Sequence, residues 1–362
     1  MKGVLVLEDG TVFHGESCGK PGQTGGEVVF STAMTGYQEV FTDPSFAGQI
    51  VALTYPLVGN YGISACYQEA ARAAARGIII KEEAVDISGG AKVKRLSQFL
   101  EENDLVGIKG VDTRTLTKHL RTHGTMRGII STLETPVDVL VQMARELPLI
   151  SEQKLTEQVS TADRYILPGS WPTVAVLDLG VKSNSIRTLS KLGCTVVVLP
   201  AYSTPGDIMA VEPDGLFISN GPGDPKSIPQ VTETVRSLLG CLPMMGICMG
   251  HQILALALGA DTYKMKFGHR GGNQPVKDLA TGRVYITSQN HGFSIRPESL
   301  PHDTVVTHIN LNDGTIEGIK HKHLPLFSVQ FHPEGAPGPR DTTNLFIDFM
   351  RNMSLQGGGH CA

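Results

Sequence analysis

Cys248 stands where an apolar run ending at Ile247 meets an Ala/Leu-rich stretch that continues to Gly259, and its own neighbourhood reads Gly246-Ile-Cys248-Met-Gly250. That order predicts a strand, a sharp turn with a cysteine at its apex, and a helix. Glycines two before and two after the cysteine permit a cramped turn that lifts the sulfur clear of the sheet. A helix N-terminus beneath the sulfur favours the thiolate through exposed N–H groups and the helix dipole. An ordinary free cysteine is a buried core residue, and such a residue needs neither flanking glycine. The pattern therefore reads as a nucleophile.

A nucleophilic thiol needs a base. Leu326-Phe-Ser-Val-Gln-Phe-His332-Pro-Glu334 is an apolar strand running into His-Pro-Glu. Residues i and i+2 at a strand end point the same way, so Glu334 can brace the His332 ring. Pro333 lacks a ladder donor and suits a strand terminus. His-x-Glu alone is a weak signal, but beside the cysteine elbow it completes a Cys–His–Glu triad in the order nucleophile, base, orienter. The set resembles the class I, triad-type glutamine amidotransferases, which hydrolyse the side-chain amide of glutamine through a thioester.

Two further stretches suit that chemistry. Asp214-Gly-Leu-Phe-Ile-Ser-Asn-Gly221-Pro-Gly223 is a strand entering a glycine-rich loop, which can bring N–H groups close to an oxyanion. The second oxyanion donor of such an elbow is the N–H of the following residue, Met249. Ser288-Gln-Asn290-His-Gly292-Phe293 closes another strand with polar groups able to hold an amino acid. The resemblance implies that Gln252, Asn290, Gly292 and Phe293 contact the glutamine. His269, within Lys264-Met-Lys-Phe-Gly-His269-Arg, also matches the family and is read as structural. Where that family commonly has Ala after the glutamate, this chain has Gly335, which implies a more flexible loop there.

These groups need a scaffold, and 362 residues suffice for two domains with separate cores. A formal net charge of −4 gives no electrostatic reason to expect nucleic acid or an anionic membrane. No apolar run approaches the roughly 18 residues of a bilayer span, and acidic residues come too early for a signal peptide. Six scattered cysteines suit reduced thiols in the cytoplasm rather than a disulfide framework or metal site. His119, His123, His321 and His323 lack a completing ligand set, so no metal is expected.

Residues 161–172, rich in Pro, Gly and Ser, read as a linker between a domain at 1–160 and a catalytic domain at 173–354, with a Gly-rich tail at 355–362. After the linker the chain alternates: strand Val174–Asp178, helix Asn184–Leu192, strand Thr195–Leu199, a short helix near Asp207, strand Gly215–Ser219, helix Val231–Leu239 and the elbow strand. Near-continuous apolar strands alternating with helices predict an α/β fold, a mostly parallel sheet covered on both faces. Its reactive loops lie at strand carboxyl ends, where open α/β sheets place ligands. Several strands from Tyr263 to Gln330 extend it in an antiparallel or mixed manner, and Thr342–Met353 forms a closing helix.

The first domain reads as a smaller mixed α/β unit. Val4–Leu7 and Thr11–Phe13 form a hairpin, Glu27–Ser31 a strand, and Val93–Glu102 and Thr113–His123 helices. No Gly-x-x-x-x-Gly-Lys-Ser/Thr run is present, so no P-loop is expected. Leu7-Glu-Asp-Gly-Thr, Gly26-Glu-Val-Val-Phe, Met34-Thr-Gly-Tyr-Gln-Glu, Thr42-Asp-Pro-Ser45-Phe, Thr54-Tyr-Pro-Leu-Val-Gly-Asn60 and Gly110-Val-Asp-Thr-Arg resemble the small subunits of carbamoyl-phosphate synthetases. That resemblance implies a large synthetase subunit as partner, docked by the first domain and carrying the ATP and magnesium. It also implies that Ser45 reaches the glutamine; by itself Ser45 reads equally as a turn hydroxyl after proline. The rivals are a glutaminase of another synthase, a free-standing γ-glutamyl hydrolase, or a silent binding module.

Overall fold

The computed structural model describes residues 1–88 and 93–355, and the chain divides into two compact units, Met1–Gln153 and Lys154–Ala362. In the first unit the strands are β1 (Lys2–Leu7), β2 (Val12–Ser17), β3 (Gln23–Ser31), β4 (Gln49–Leu53), β5 (Leu57–Val58), β6 (Gly77–Ile79), β7 (Glu82–Glu83), β8 (Val106–Lys109) and β9 (Met126–Ser131). Seven of them close into a barrel, β1-β2-β8-β6-β4-β3-β9, while β5 and β7 pair with each other. The predicted hairpin is β1–β2, with Leu5 opposite Phe13.

Side-chain alternation sends successive barrel residues to opposite faces. Val29, Val51, Ile78 and Ile80 pack against Phe41, Leu96, Phe99 and Leu100 of the helices Tyr37–Thr42 and Leu96–Glu102. Their neighbours Val28, Ile50, Ile79 and Ile108 are fully buried on the face that a closed barrel turns inward. The helix Thr113–His123 lies where it was expected, because the Asp112 side chain caps it by accepting from the Thr115 N–H (3.0 Å). The barrel itself, with β4, β6, β8 and β9, was not foreseen. Three- to five-residue apolar runs carry no readable period.

The second unit contains β10 (Tyr165–Leu167), β11 (Thr173–Asp178), β12 (Thr195–Pro200), β13 (Gly215–Ile218), β14 (Met244–Ile247), β15 (Thr262–Asp278), β16 (Val284–Ile295), β17 (Thr304–Asn310), β18 (Ile316–His321) and β19 (Leu326–Val329). They form one sheet in the order β10-β12-β11-β13-β14-β19-β18-β17-β15-β16. The five strands from β12 to β19 are parallel, and β18, β17, β15 and β16 extend them antiparallel. Alternate residues again separate two cores. Ala175, Leu177, Leu216, Ile218 and Met244 face Val231, Val235, Ile253 and Leu254 of the helices Pro229–Ser237 and Met249–Leu258. Val174, Val176, Phe217, Met245 and Ile247 face Ile186, Leu189, Phe346 and Phe349 of the helices Ser183–Lys191 and Asn344–Leu355. The doubly covered parallel sheet is thus the expected one.

The stretch read as a linker is not unstructured. Its Tyr165–Leu167 is the edge strand β10, with Ile166 opposite Val197, and the Thr161 N–H donates to Asp178 (2.7 Å). A three-residue apolar run among Pro, Gly and Ser was too short to register as a strand. The boundary between units falls at 153/154 instead of 160/161. Of the expected tail, Leu355 ends the closing helix, and 356–362 lie outside the described residues. Cys18, Cys66, Cys194 and Cys248 are free thiols.

Candidate active site

Cys248 follows the last residue of β14 and caps the helix Met249–Leu258 with φ +54° and ψ −103°. A non-glycine residue at positive φ is strained and persists where its surroundings over-determine it. Here the surroundings require glycine on both sides. A Cβ on Gly250 would lie 2.1 Å from the Ile218 carbonyl oxygen, and one on Gly246 would lie 2.5 Å from that of Gly250. The Cys248 N–H donates to Val329 O (2.9 Å), which stitches the elbow to β19. Its Sγ lies 3.5 Å from the Asn290 carbonyl oxygen.

Beyond β19 the backbone of His332 donates to Ser288 O (2.8 Å), tying the strand end to β16. His332 Nδ1 lies 2.7 Å from Glu334 Oε1, and both side chains are buried. Burial alone would lower the His332 pKa, but the Glu334 carboxylate overrides it and raises the ring to about 10. Burial would likewise raise Glu334, yet His332 and Lys182 hold it down to about 2. With Nδ1 committed to Glu334, Nε2 has no hydrogen-bond partner. The Cys248 side chain also adds to the ring's affinity for a proton.

Lys182 was not singled out from the sequence. Its side chain is buried, with Nζ 3.4 Å from Glu334 Oε1 and donating to Gly335 O (2.6 Å). Asn184 Nδ2 donates to Glu334 O (2.6 Å). Both residues follow the carboxyl end of β11 in Gly180-Val-Lys-Ser-Asn184. The available signal was a lysine directly after a buried parallel strand, in the position where such sheets place ligands. Gly335 also departs from expectation. Its φ of +70° is left-handed and suits glycine. Its N–H donates to His332 O (3.1 Å) while its carbonyl holds Lys182, so the loop is pinned on both sides and not loose.

Gly221 and Gly223 occupy the loop after β13, which Asn220 fastens to the loop after β11. Asn220 Nδ2 donates to Gly180 O (2.9 Å), and its Oδ1 accepts from the Lys182 N–H (3.2 Å). Met249 opens the elbow helix and is buried. On that helix Gln252 Nε2 donates to Phe293 O (2.9 Å) and Gln330 Oε1 (3.0 Å), linking helix, β16 and the end of β19. Asn290, Gly292 and Phe293 lie within β16 and not beyond its end. Cys248, His332, Glu334, Met249, Gln252, Asn290 and Phe293 are thereby joined through these contacts. Ser45 belongs to the first unit, buried in the short turn Pro44–Phe46, where its N–H donates to Asp43 Oδ1 (2.9 Å).

A parallel α/β sheet with a strained cysteine elbow and a buried His–Glu pair at adjacent strand ends is the architecture of a triad amidotransferase. Residues 175–352 match the glutamine amidotransferase class-I family, and residues 5–130 match the carbamoyl-phosphate synthase small chain, CPSase domain. The second unit is therefore a class I glutamine amidotransferase domain. A carbamoyl phosphate synthase small chain of Aquifex aeolicus is 50% identical, over 96% of this chain and 98% of that one. Those of Syntrophotalea carbinolica and Clostridium acetobutylicum are each 48% identical, over 99% and 97% of this chain and 100% and 99% of theirs. The chain belongs to the carbamoyl phosphate synthase small chain family. Its first unit separates it from the rival synthases and from a free-standing hydrolase.

Proposed function

We propose that this chain hydrolyses L-glutamine to glutamate and ammonia through a thioester on Cys248, and passes the ammonia to a large chain that makes carbamoyl phosphate. The single observation that carries this reading is the buried His332–Glu334 pair, which leaves one ring nitrogen uncommitted and whose affinity for a proton the elbow cysteine helps to raise. A protonated ring beside the sulfur is what a cysteine needs to react as thiolate. The thiolate attacks the carboxamide carbon, and the N–H groups of Met249 and of the Gly221/Gly223 loop receive the developing oxyanion. His332 gives its proton to the departing ammonia, leaving the acyl group on sulfur. The ring then takes a proton from the water that attacks the thioester carbonyl and keeps it; the adduct expels the thiolate, glutamate loses its new carboxyl proton to solvent, and the thiolate–imidazolium pair is restored. Glu334, itself braced by Lys182, holds the imidazole with Nδ1–H toward the carboxylate.

Gln252, Asn290, Gly292 and Phe293 are assigned to glutamine binding, and Ser45 remains the first unit's candidate. The remaining chemistry, which needs bicarbonate, ATP and magnesium, is assigned to the large chain. A cytoplasmic setting fits these substrates, and no helix among the described residues is long and apolar enough to cross a membrane. The test is ammonia release by the purified chain alone, with the large chain, and with the large chain plus ATP and bicarbonate. Coupling of about tenfold or more on assembly is expected, within the usual range of linked sites. Full hydrolysis by the chain alone, unmoved by partner or nucleotide, contradicts a coupled subunit.

A further inference from the structure

Behind the glutamine-binding candidates lies a second buried polar cluster, drawn from β15, β16, β17, β18 and the turn before β18, that plays no part in the reaction above. His291 Nδ1 is 2.8 Å from Phe293 O, the same carbonyl that accepts from Gln252. His291 Nε2 and His269 Nδ1 lie 2.9 and 3.0 Å from the carboxamide of Gln289. The other end of that carboxamide is 3.0 Å from Glu317 Oε2 and 3.2 Å from Thr287 Oγ1. His269 Nε2 is 3.0 Å from Asp313 Oδ2. Asn310 Nδ2 lies 3.4 Å from both His269 Nδ1 and Glu317 Oε1, and Thr315 Oγ1 lies 3.5 Å from Glu317 Oε1. His269, His291 and Glu317 stand close enough to hold a metal ion, but Gln289 already bridges the two rings.

Counting protons decides how these groups are arranged. Phe293 O only accepts, so His291 Nδ1 carries a proton. Burial, reinforced by Arg270 and His332 around it, keeps the His291 pKa well below the usual value. The ring is neutral, and its Nε2 is a bare acceptor. The Asn310 amide nitrogen only donates, so His269 Nδ1 facing it is also an acceptor. Both rings therefore require the NH₂ of Gln289. In the structure its oxygen faces them, and turning the carboxamide over exchanges oxygen and nitrogen without moving a heavy atom appreciably. The oxygen then meets Glu317 Oε2, which can donate only if it carries a proton, and Thr287 Oγ1, whose one proton must turn to it from Gln274 O (2.9 Å).

We propose that Glu317 is a neutral, protonated acid and a positioning residue. Through Gln289 it fixes the ring proton of His291, and so the Phe293 carbonyl and Gln252 carboxamide of the glutamine site; this last step rests on the function proposed above. His269 and Glu317 compete for one proton. Burial would lower His269, yet Asp313 and Glu317 push it up to about 9, while burial raises Glu317. Moving that proton from His269 Nδ1 to Glu317 Oε2 leaves the net charge unchanged and removes two opposite charges from a dry interior, where ionised groups are costly. In this arrangement Asn310 and Thr315 still donate to Glu317 Oε1, and His269 Nε2–H still donates to Asp313.

Two measurements test it. Long-range ¹H–¹⁵N spectra of the full chain, labelled at histidine and recorded near neutral pH, should show His291 protonated on Nδ1 alone and His269 neutral with its proton on Nε2. An imidazolium at His269, or a His291 proton on Nε2, overturns the proposal. In the assembled enzyme, Glu317→Gln offers an NH₂ to Gln289 and an oxygen to Asn310 and Thr315. It should hold the glutamine KM within about threefold, while Glu317→Ala raises it about tenfold or more with kcat largely kept. Equal losses in the two variants overturn it, because either would break a His269–Glu317 ion pair. Failure of the wild-type chain to release ammonia from glutamine sinks the catalytic reading instead, and the spectra still decide where the proton sits.

Discussion

The two units bury different kinds of group. The barrel interior is aliphatic, and its buried Glu27 is engaged by Gln49 (3.0 Å) and Thr125 (3.0 Å). The second unit has equally apolar cores on both faces of its sheet, but at the strand carboxyl ends it encloses Lys182, His332 and Glu334. Apolar barrels are specified by size and pattern, which many sequences satisfy. A buried ionic set is a poor source of stability, because desolvation offsets the attraction, and ionisable groups so strongly perturbed collect at functional sites. The contrast assigns chemistry to the second unit.

The contrast breaks most sharply at the reacting groups. Cys248→Ser should lower glutamine-dependent carbamoyl phosphate synthesis by about a thousandfold or more, while synthesis from added ammonia by the complex persists. His332→Asn should come close to the same loss, and Glu334→Gln should cost less, about a hundredfold, because nucleophile and base both remain. The Cys248/His332 double variant should be little worse than either single one, since triad members act as a unit. Steady-state rates with the two nitrogen donors settle each point, and losses that multiply would mean separate roles.

A smaller effect separates the units by pH. His332 binds its proton up to about 10 when folded, against 6.5 ordinarily. Its contribution is fully present below about 6.5 and is lost as pH rises through the folded value. Glu334, held down to about 2 from 4.5, contributes above about 4.5 and loses that contribution as pH falls toward its folded value. Hydrogen exchange across β14 and β19 should therefore speed up between about pH 6.5 and 10 beyond the intrinsic rise. In His332→Asn that excess should vanish, while the barrel strands show none in either chain. An excess that survives the substitution would locate the titration elsewhere.

The smallest expected effect is at Gly335. Replacing it by alanine places a Cβ at φ +70°, 3.1 Å from Gly338 O, and should cost about 1–2 kcal/mol locally. Glutamine turnover should fall less than about threefold, because Lys182 holds the carbonyl, which alanine retains. A loss as large as that of Glu334→Gln would show that this turn sets the carboxylate directly.

How legible each region was follows from the same physics. The elbow could be read because two glycines bracket one cysteine for steric reasons local to five residues. His332 and Glu334 could be read because strand alternation relates i to i+2. The parallel strands were found because burial on both faces makes them continuous apolar runs. Lys182 was missed because its partner Glu334 lies 152 positions away in sequence, and only the β11–β13–β14–β19 order unites them. The cluster of His269, Gln289, His291 and Glu317 was missed similarly, since it forms where the antiparallel strands fold over one another. The barrel escaped because its closure depends on pairing β1 with β9 across more than a hundred residues, which no local pattern records.

The central claim is that Cys248 carries the acyl group. Rapid acid quenching of the assembled enzyme during turnover of isotopically labelled glutamine, followed by mass analysis of its peptides, reads this directly. A labelled glutamyl adduct should appear on the Cys248 peptide, be released by hydroxylamine as a thioester is, and be absent from Cys248→Ser. Glutamine turnover with no such adduct under conditions that accumulate acyl-enzyme, or with the label on another residue, would contradict the account.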